Sequence, residues 1–466
     1  MSDALHTARL ALAGRRAWLV GGAVRDRVLG RDSADLDIVI DGDPAQAARS
    51  LVRAGTGTTC FELSGEFGAW RVLARDGRWQ IDLEGLRGGS LEADLALRDF
   101  TVNAVAEPLA GGEPIDPLGG LSDLAARRLR VVSEHAFNDD PLRVLRLVRM
   151  AVERDLLIEP ETIRHARAVL GALETVAAER VFMELRRIIS STDPLGGLAL
   201  MDEIGVTQVV LPELHALRGV EQSRFHHRDV YGHTLEVLEQ VISIVKNPSA
   251  LGGPVHAQLL GALLAEPLGD GLTRADALLW GALLHDAAKP MTRAVGPDGR
   301  VTFIGHDTQG ARLAHGLLAR LRASTRLRQH VATLVEHHLR LGFLVHEPQP
   351  LARRTLYRYL RACEPVEVDV SLLSVADRLA TRGENAEHSI EAHLRLARAI
   401  LPDALRWRTE GPPSVLLTGQ DLISELGMQP GPSIGKLLEE LAQAQYAGET
   451  TSREQALALA RTLTER

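Results

Sequence analysis

The sequence has few cysteines and no long apolar run, and each absence excludes a class of protein. Cys60 and Cys363 are its only cysteines and lie far apart along 466 residues. A disulfide framework or a thiolate zinc site therefore lacks ligands. The N-terminus has no apolar segment typical of a secretory signal, and no run approaches the ~20 apolar residues of a membrane helix. We therefore expect a cytoplasmic protein with no membrane partner.

Aromatic residues and net positive charge are also scarce. Aromatics make up 4% of the chain, too little for a surface that stacks single-stranded bases. The formal net charge of −8 excludes a globally basic nucleic-acid binder. A local arginine cluster can still bind RNA while carboxylates elsewhere bind metal ions. Contacts with nucleic acid are therefore expected from arginine and from the backbone.

The hydrophobic periodicity changes along the chain from mixed to helical. The N-terminal part predicts two strands, two helices and a hairpin turning at Asp76-Gly77: Ala17–Val20, Ala23–Leu29, Leu36–Ile40, Pro44–Ala54, and Phe67–Ala74 with Trp79–Leu83. From about Asp140 the pattern is helical almost to the end. Two segments rich in Pro and Gly, Pro248–Asp270 and Leu401–Ser414, are expected to interrupt the helices.

Two glycines followed by two carboxylates form the first pattern with chemical meaning. Gly21 and Gly22 stand between a predicted strand and helix, where the backbone can approach a triphosphate and helix N–H groups face it. Arg25 adds a donor for a phosphate. Asp35 and Asp37 alternate on a strand, so both side chains leave one face. This pattern predicts a site for two Mg²⁺ ions about 4 Å apart.

The two glycines alone usually mark only a tight turn, and two alternating aspartates alone usually mark only a solvated strand edge. Together, "LVGGAVRD…DLDIVI" resembles the first motif of class II CCA-adding enzymes and bacterial poly(A) polymerases, in the polymerase β-like nucleotidyltransferase superfamily. Asp82, on a later predicted strand, is a candidate third metal ligand. The resemblance implies transfer of nucleotides from CTP and ATP to the 3′ end of a tRNA.

Segments that resemble the other family motifs follow in the family's order. They are Leu97–Ala106, Asp116–Leu124, Asp139–Ala151 and Ala178–Ile189. In the first of these segments, the resemblance implies that Arg98 and Asn103 recognise the nucleotide and its sugar.

The segment that begins at Asp139 joins a carboxylate to a guanidinium. Asp140, the expected helix N-cap, and Arg143 are neighbours on a helix. An acceptor beside a donor can pair with the Watson–Crick edge of cytosine or adenine, and the resemblance assigns this templating role to the matching pair. Arg146 and Arg149 continue the face and are candidate phosphate contacts. The structural alternative is a capped amphipathic helix with exposed arginines.

Further arginines follow in the next predicted helices. Their charge suits the acceptor stem of a tRNA, bound through its phosphates without sequence readout. A solvated charged face is the alternative for each of them. They are Arg154, Arg164, Arg167, Arg180, Arg186 and Arg187.

A second set of metal-ligating residue types lies in the second half of the chain. The order H…HD…H…H…D resembles the HD phosphohydrolase superfamily. That resemblance implies a site for a divalent transition metal or Mg²⁺ with the ligands His233, His285, Asp286 and Asp377. His306 and His337 are candidate extra ligands or phosphate contacts. Buried core histidines, or a degenerate HD unit, are the structural alternatives.

The resemblance covers nearly the whole chain and implies an α+β protein whose N-terminal polymerase β-like domain is followed by helices. The expected divisions are a nucleotidyltransferase head at 1–138, a helical neck that binds nucleotide and tRNA at 139–222, an HD domain at 223–382 and a helical tail at 383–466. The sequence leaves the oligomeric state open.

The choice of added nucleotides also stays open at this point. Many complete CCA-adding members carry a longer segment where this chain has only a few residues between Asp82 and Arg98, so CC-only and A-only addition are alternatives. A poly(A) polymerase is less favoured, because the stretch Glu66–Val72 lacks the basic pattern of those relatives. Intact carboxylates argue against a phosphohydrolase with a nucleotide-sensing N-terminal domain, and against a structural RNA-binding protein.

Overall fold

The structure is a computed structural model that describes residues 3–31, 33–54, 57–64, 68–222, 227–382 and 386–465. The chain divides into two compact units, Met1–Val210 and Leu211–Arg466. Among the described residues, no helix is both long and apolar enough to cross a membrane.

The first unit is built on a mixed sheet. Its strands are Ala17–Val20 (β1), Asp35–Ile40 (β2), Gly57–Ser64 (β3), Ala69–Ala74 (β4), Gln80–Gly85 (β5) and Ala106–Pro108 (β6). The strand order is β3-β4-β5-β2-β1-β6, with β2 and β5 parallel and the other neighbours antiparallel. The parallel pair therefore lies at the centre of the sheet, where its carboxylates can meet.

Helices cover this sheet and continue beyond it. They are Asp3–Ala11 (α1), Gly22–Val28 (α2), Pro44–Arg53 (α3), Leu91–Ala96 (α4), Gly120–Ala125 (α5), Ala136–Asp139 (α6), Arg143–Arg154 (α7), Pro160–Ala168 (α8), Ala178–Ile189 (α9), Pro194–Ile204 (α10) and Thr207–Val210 (α11). A small parallel pair, Arg128–Leu129 (β7) and Leu157–Ile158 (β8), and the 3-10 turns Thr101–Asn103 and Leu170–Thr175 complete the unit.

Apolar side chains between the sheet and α1 and α3 form the main core of the first unit. Leu12, Leu19, Ile38, Leu51 and Ile81 are each at most 2% exposed. Each fully buried side chain of this size contributes about 1.5–3 kcal/mol. The strands thus present apolar residues to this core on one face, while the other face carries a second buried apolar cluster that includes Val20 and Val39, beside the carboxylates of Asp35 and Asp37.

The predicted strands and helices of the first unit are confirmed, with differences at their ends. The hairpin of β4 and β5 turns through Gly77, whose φ is +69°, whereas β3 was not predicted and Phe67 lies outside the described residues. Asp140 accepts the expected capping bond from the Leu142 N–H at 3.3 Å, but α7 begins at Arg143. The intervening residues form a tighter turn, in which the Arg143 N–H donates to the Asp140 carbonyl.

The second unit is almost entirely helical. Its helices are Pro212–His215 (α12), Val230–Lys246 (α13), Ser249–Leu264 (α14), Arg274–Leu284 (α15), Lys289–Thr292 (α16), His306–Arg320 (α17), Thr325–His337 (α18), Arg340–Leu344 (α19), Arg353–Cys363 (α20), Glu367–Ala380 (α21), Ala386–Glu410 (α22), Gly419–Leu426 (α23), Pro432–Tyr446 (α24) and Arg453–Thr464 (α25). Two short hairpins are Pro267–Gly269 (β9) with Leu272–Thr273 (β10), and Ala294–Val295 (β11) with Val301–Thr302 (β12).

The two predicted interruptions of the helical pattern are wrong over most of their length. α14 occupies much of the first and bends at Gly253, and Pro254 follows where a new helical turn needs no proline N–H. α22 runs through Pro402 because its flanking residues are buried against the unit's core, Leu401 at 1% exposure and Ala404 at 0%. Burial of an apolar face therefore outweighs the local signal of Pro and Gly.

Candidate active site and metal centre

The predicted carboxylates meet on the parallel strand pair of the first unit. The register of β2 and β5 places Asp37 directly beside Asp82, and Asp35 lies on the same face of β2 one alternation away. Leu36, between the two aspartates, is 3% exposed and points into the core. Burial of Leu36 thus fixes the face of β2 from which the side chains of Asp35 and Asp37 project.

Burial first, and then the neighbouring charges, change the acidity of Asp37. The Asp37 carboxylate faces a cleft and is partly accessible, but the protein around it removes much of the bulk water. This desolvation raises its pKa to about 6. The Arg98 guanidinium opposes the shift, while the carboxylates of Asp82, Glu84 and Asp35 add to it. A cation beside these groups would relieve the repulsion, so their chemistry fits divalent metal ions.

Arg71 already serves as the counter-ion of Asp82. Its Nε and Nη2 donate to the two oxygens of Asp82, each at 2.7 Å, across the β4–β5 ladder. This bidentate pair orients Asp82 and draws it to one side. Among the described residues, the oxygens of Asp35, Asp37 and Asp82 accordingly do not gather as closely as the ligand groups of the second unit.

Gly21 permits a close approach of the backbone to this site. It has φ +69° and ψ −138° at the start of α2. A Cβ built on it would lie 3.1 Å from Asp37 Oδ2 and 3.2 Å from Arg98 Nη1. A side chain here would therefore press on both groups, which would have to shift by a few tenths of an ångström, and it would strain the backbone.

A cleft of about 340 Å³ opens beside these carboxylates. Its wall includes six of the charged residues that the sequence singles out in this unit, together with residues that it does not. The predicted ones are Asp37, Asp82, Arg98, Asp140, Arg143 and Arg146. The additional charged ones are Glu84, Arg87 and Asp99. The structure therefore brings the predicted metal ligands Asp37 and Asp82 and the predicted templating pair to one cleft.

Both members of the predicted templating pair are held by the protein. Asp140 Oδ2 accepts a hydrogen bond from Arg180 Nη2 at 2.8 Å. Arg143 donates to the carbonyl oxygens of Leu97, Arg98 and Ala136 at 2.9, 3.2 and 3.0 Å. The guanidinium of Arg143 is thus fixed in orientation, while the carboxylate of Asp140 is held by a side chain that can be displaced.

Arg25 does not reach the cleft as the sequence suggests. It is 6% exposed, and its Nη1 donates to Asn103 Oδ1 at 2.5 Å while its Nε donates to Asp26 at 3.0 Å. Asn103 in turn donates to Asp99, which accepts two bonds from Arg146 at 3.0 and 2.7 Å. Arg25 and Asn103 therefore belong to a buried network that supports the cleft, and direct contact of Arg25 with a triphosphate is not supported.

The structure also does not support the predicted contact of Arg149 with phosphate. It is 7% exposed and donates to Glu184 at 2.5 Å and to Glu153 at 2.9 Å, away from the cleft lining. Burial of a guanidinium between two carboxylates is a structural arrangement that joins α7 to α9. No local signal marked Glu184 as its partner, because the pair is remote in sequence.

Several arginines expected to give free positive charge for RNA are paired within the first unit. Arg154 pairs with Asp26, Arg164 with Glu161, and Arg187 with Glu153. Arg167 donates to the Glu203 carbonyl. Arg180, as described above, binds Asp140. Carboxylates thus compensate four of these charges, whereas Arg167 bonds a backbone carbonyl and Arg186 has no carboxylate partner among the described residues.

In the second unit, the structure gathers two groups of metal-ligating atoms around one carboxylate. His233, His285 and Asp286 form one group, and Asp286, His306 and His338 form the other. Within each group the ligand atoms lie within 4.8 Å of one another, and every residue is buried. Asp286 belongs to both groups, since its Oδ2 lies 3.1 Å from His285 Nε2 and its Oδ1 lies 3.3 Å from His306 Nε2.

The hydrogen bonds of these histidines prepare them as ligands. The Nδ1 atoms of His285, His306 and His338 each bond the backbone carbonyl three residues earlier, at 2.7, 2.7 and 2.6 Å. Their Nε2 atoms are buried and lack a hydrogen-bond partner among the described residues. With Nδ1 protonated, each Nε2 carries a lone pair toward Asp286, which is the arrangement of metal-bound histidines.

Charge and burial further define this cluster. Burial and the charge of His285 lower the pKa of His338 to about 4, so that this imidazole is neutral at pH 7. Asp377 accepts from His233 Nε2 at 3.0 Å, and Lys289 Nζ lies 2.7 Å from Asp286 Oδ2. Burial raises the pKa of Asp286, but His285 and Lys289 outweigh it, so that its net pKa lies well below the usual value.

His338, and not His337, completes the cluster. The ring of His338 lies 5.4 Å from that of His285 and 5.2 Å from that of His306, between centroids. His337 instead accepts a hydrogen bond from Arg340 Nε at 3.0 Å. Successive residues on a helix point about 100° apart, so only one of two adjacent histidines can face the centre. The sequence analysis named the wrong member of the pair.

Comparison with known protein families gives matches along most of the chain. Residues 17–130 match the "Poly A polymerase head domain". Residues 155–218 match the "Probable RNA and SrmB- binding site of polymerase A". Residues 230–382 match the HD domain. The part of the cleft lining from Val20 to Asp99 thus falls in the first match, whereas Asp140, Arg143 and Arg146 lie between the first two matches. The histidine cluster falls in the third match.

Curated relatives cover nearly the whole chain. The A-adding tRNA nucleotidyltransferase of Deinococcus radiodurans is 38% identical over 95% of this chain and 94% of its own length. The CC-adding tRNA nucleotidyltransferase of Thermus thermophilus is 34% identical over 95% of this chain and 92% of its own. A multifunctional CCA protein of Xanthomonas campestris is 31% identical over 93% and 97%.

Solved structures share the fold. A CCA-adding enzyme in complex with CTP superposes with a TM-score of 0.65 at 21% identity, over 100% of this chain and 97% of that chain. The Thermotoga maritima CCA-adding enzyme in complex with a tRNA gives a TM-score of 0.62 at 20% identity, over 100% and 96%. The α+β architecture expected from the sequence is confirmed, with a sheet-based head followed by helical parts.

Proposed function

The chain belongs to the family of tRNA nucleotidyltransferases and poly(A) polymerases, and on that premise we propose that it adds nucleotides from CTP and ATP to the 3′ end of tRNA, building or repairing the CCA terminus. The observation that carries this proposal is the shared cleft, in which the Asp37–Asp82 edge stands beside Asp140 and Arg143. A phosphate-binding fold alone would not need a base-recognition pair next to its metal ligands.

The reaction requires an in-line displacement at the α-phosphate. The 3′-hydroxyl oxygen of tRNA forms a bond to that phosphorus, and the bond to the bridging oxygen breaks, so that pyrophosphate leaves. Asp35, Asp37 and Asp82 would hold divalent metal ions, which we propose to be Mg²⁺ and which would supply activation of the hydroxyl and neutralisation of the leaving group. The raised pKa of Asp37, caused first by burial and then by the neighbouring carboxylates, is consistent with this role.

The other residues of the cleft position the nucleotide. The backbone at Gly21-Gly22 and the Arg98 guanidinium lie next to Asp37, where they would flank the triphosphate. Asp140 offers an acceptor for the exocyclic amino group that cytosine and adenine share, and Arg143, fixed by carbonyls, keeps its donors at one place. Catalysis rests largely on positioning and charge neutralisation. The expected cytoplasmic location follows from these substrates.

Incorporation assays test the proposal and separate its alternatives. The substrates are tRNA transcripts ending at the discriminator base, at C and at CC, each with CTP and ATP separately and together. Addition of C, C and A indicates a complete CCA-adding enzyme; arrest after CC indicates CC addition only; extension of the CC-ended transcript alone indicates A addition only. Activity that persists in Asp35→Ala would contradict the proposed metal site.

We also propose that the HD cluster binds divalent metal ions and hydrolyses phosphate esters. Asp286 presents each oxygen to a different set of histidines, which favours two ions sharing this carboxylate. Elemental analysis of purified protein tests this directly. The HD centre is expected to contribute about two ions per chain, and both should be lost in Asp286→Asn. Loss of His306 and His338 should lower the count by one ion, and an unchanged count would show that the second set is structural.

A further inference from the structure

A row of side chains crosses the sheet of the first unit from the predicted metal ligands to the edge strand. Asp37 on β2 lies beside Asp82 on β5, and Asp82 lies opposite Arg71 on β4. Arg71 in turn lies opposite Phe61 on β3. Residues that face each other across neighbouring strands project from the same face of the sheet. Phe61 therefore stands on the face that carries the carboxylates, three strand spacings from Asp37, or about 14 Å.

Phe61 is open to solvent on this face. It is 43% exposed, and β3 is an edge strand that has β4 as its only neighbour in the described part of the chain. Cys60 and Glu62, on either side of it, project from the opposite face, where Cys60 packs against the main core. Single exposed apolar residues are common on protein surfaces. The position of Phe61 in the row is what gives its ring a possible partner, because an exposed aromatic ring can stack on a nucleic-acid base.

The geometry of the transfer reaction determines from which side the RNA reaches the carboxylates. The attacking and leaving oxygens lie roughly in line, on opposite sides of the reacting phosphorus. Gly21 follows β1, which borders β2 on the side away from β5, and both Gly21 and Arg98 lie next to Asp37. With the triphosphate flanked by these groups, pyrophosphate leaves toward β1. The 3′-hydroxyl then approaches from the side of β5, β4 and β3.

Arg71 makes this approach compatible with the charge of an RNA chain. Its two hydrogen bonds to Asp82, each 2.7 Å long, compensate the carboxylate that lies nearest to Phe61 in the row. The Arg71 side chain is 29% exposed, and its Nη1 takes no part in those two bonds, so this atom can donate to a phosphate oxygen. An RNA end that passes Phe61 therefore meets a compensated carboxylate before it reaches Asp37.

We propose that Phe61 stacks on one unpaired base of the RNA acceptor end, a few nucleotides upstream of the reacting 3′-hydroxyl, and that Arg71 lies beside the intervening phosphates. The proposal rests on the nucleotide transfer proposed above and adds the path of the RNA to it. One ring serves one base, which agrees with a chain of only 4% aromatic residues. Because every base has a π-face, such a contact accepts RNA ends of different sequence.

The first measurement is the affinity of the full chain for a fluorescent tRNA that ends in the first added C, followed by anisotropy without nucleotide. Phe61→Leu keeps an apolar side chain on β3, and we expect it to weaken binding about tenfold because stacking is lost. Phe61→Tyr should bind like the wild type. The matched control is Glu62→Gln, an exposed neighbour on the opposite face of β3, which should not weaken binding. In incorporation assays, Phe61→Leu should raise the KM for tRNA and leave the KM for CTP unchanged.

The second measurement changes the RNA instead of the protein. A series of tRNAs, assembled by ligation, carries one abasic nucleotide at successive positions from the 3′ end. At one position, we expect the missing base to weaken binding to the wild type and to leave binding to Phe61→Leu unchanged, because the variant has already lost that contact. At the other positions, the missing base should affect both proteins equally.

The outcomes separate this contact from the transfer reaction. If no abasic position distinguishes the wild type from Phe61→Leu, the proposal is overturned, whatever the transfer activity. A change from dimer to monomer in Phe61→Leu, with unchanged affinity for RNA, also overturns it and assigns the edge of β3 to a second copy of this chain. One distinguishing position in a wild type that adds no nucleotide supports the RNA contact and overturns the transfer function. The same position in an active wild type supports both.

Discussion

Arg180 Nη2 donates to Asp140 Oδ2 at 2.8 Å, linking α9 to the turn that precedes α7. The pair is half-buried, with side-chain exposures of 53% and 26%. The hydrogen bond holds the Asp140 carboxylate, whose oxygens accept hydrogen bonds, in one orientation. Because an acceptor is what the amino groups of cytosine and adenine require, Arg180 supports nucleotide choice without touching the base.

Substitution of Arg180 therefore should alter nucleotide selection. In Arg180→Ala we expect the preference for CTP and ATP over UTP to fall by about tenfold, the effect of about 1.4 kcal/mol. Steady-state incorporation with each nucleotide gives the ratio of kcat/KM. The control is Arg187→Ala on the same helix, which breaks the exposed pair with Glu153. An unchanged ratio in Arg180→Ala, or an equal loss in Arg187→Ala, would contradict this assignment.

Metal binding in the cleft should depend on pH through Asp37. Its pKa, raised to about 6, means that a proton competes with the metal below that pH. In an Asp286→Asn background, which removes the HD centre, we expect Mn²⁺ affinity to fall as pH decreases from 7 to 5. Asp37→Asn should abolish this dependence together with most of the affinity. A titration that is flat across this range would contradict the raised pKa.

The raised pKa of Asp37 should also affect the stability of the fold. A carboxyl group whose folded pKa is raised stabilises the fold below its unfolded pKa of about 4, and this contribution is lost as pH rises through about 6. Metal-free wild type should therefore lose thermal stability relative to Asp37→Asn between pH 4 and 7. Melting curves of the two chains across that range measure the difference, and the gap should close when metal is added to the wild type.

The adjacent histidines of α18 offer a matched pair of variants. His338→Asn removes an Nε2 that faces Asp286 and His306, so bound metal should decrease. His337→Asn changes a ring that accepts only from Arg340, so metal content should stay within error of the wild type. Elemental analysis of both proteins gives the answer. Equal losses of metal in the two variants would contradict the assignment of His338, and not His337, to the cluster.

A buried ion pair in the second unit should control stability. Arg274 donates to Asp369 and to the Pro365 carbonyl, and both charged side chains are at most 3% exposed. Arg274→Met leaves a buried unpaired carboxylate and should lower the free energy of unfolding by about 3–5 kcal/mol. Arg361→Met, which breaks a half-exposed pair with Glu364, should cost about 0–1 kcal/mol. Urea titrations of both variants make the comparison.

The decrease in the free energy of unfolding caused by Arg274→Met should depend on pH in a definite direction. Burial raises the pKa of Asp369, but Arg274 and His330 outweigh it and hold the pKa at about 2. A lowered folded pKa contributes stability above the unfolded pKa of about 4 and loses it as pH falls toward 2. The difference between wild type and Arg274→Met should therefore narrow in acid. A difference in stability between wild type and Arg274→Met that grows below pH 4 would contradict this direction.

Sequence reasoning located the features that depend on neighbouring residues. β1, β2 and α2 and the turn at Gly77 follow from local periodicity and glycine, and they place Asp35 and Asp37 on one face. The parallel pairing that sets Asp37 beside Asp82 is not local, since the two strands are separated by β3 and β4. Asp82 could therefore be named only as a candidate.

The errors arise where contacts remote in sequence decide the outcome. Arg25 and Arg149 carry the charge expected of phosphate contacts, but Asn103 and Glu184 bind them inside the fold. His337 and His338 are equivalent by composition, and only the rotation of α18 against the neighbouring helices selects His338. Residue type and spacing thus indicate the chemistry of a site, whereas the choice among similar residues depends on tertiary packing.

The Arg71–Asp82 pair has a consequence for how the protein is made. The strand edge that would hold metal ions carries its own counter-ion, donated from the adjacent β4. Pairing of β4 with β5 therefore leaves Asp82 compensated whether or not an ion is present. Assembly of the head should accordingly not depend on loading of the site, so that folding and activation are separable events.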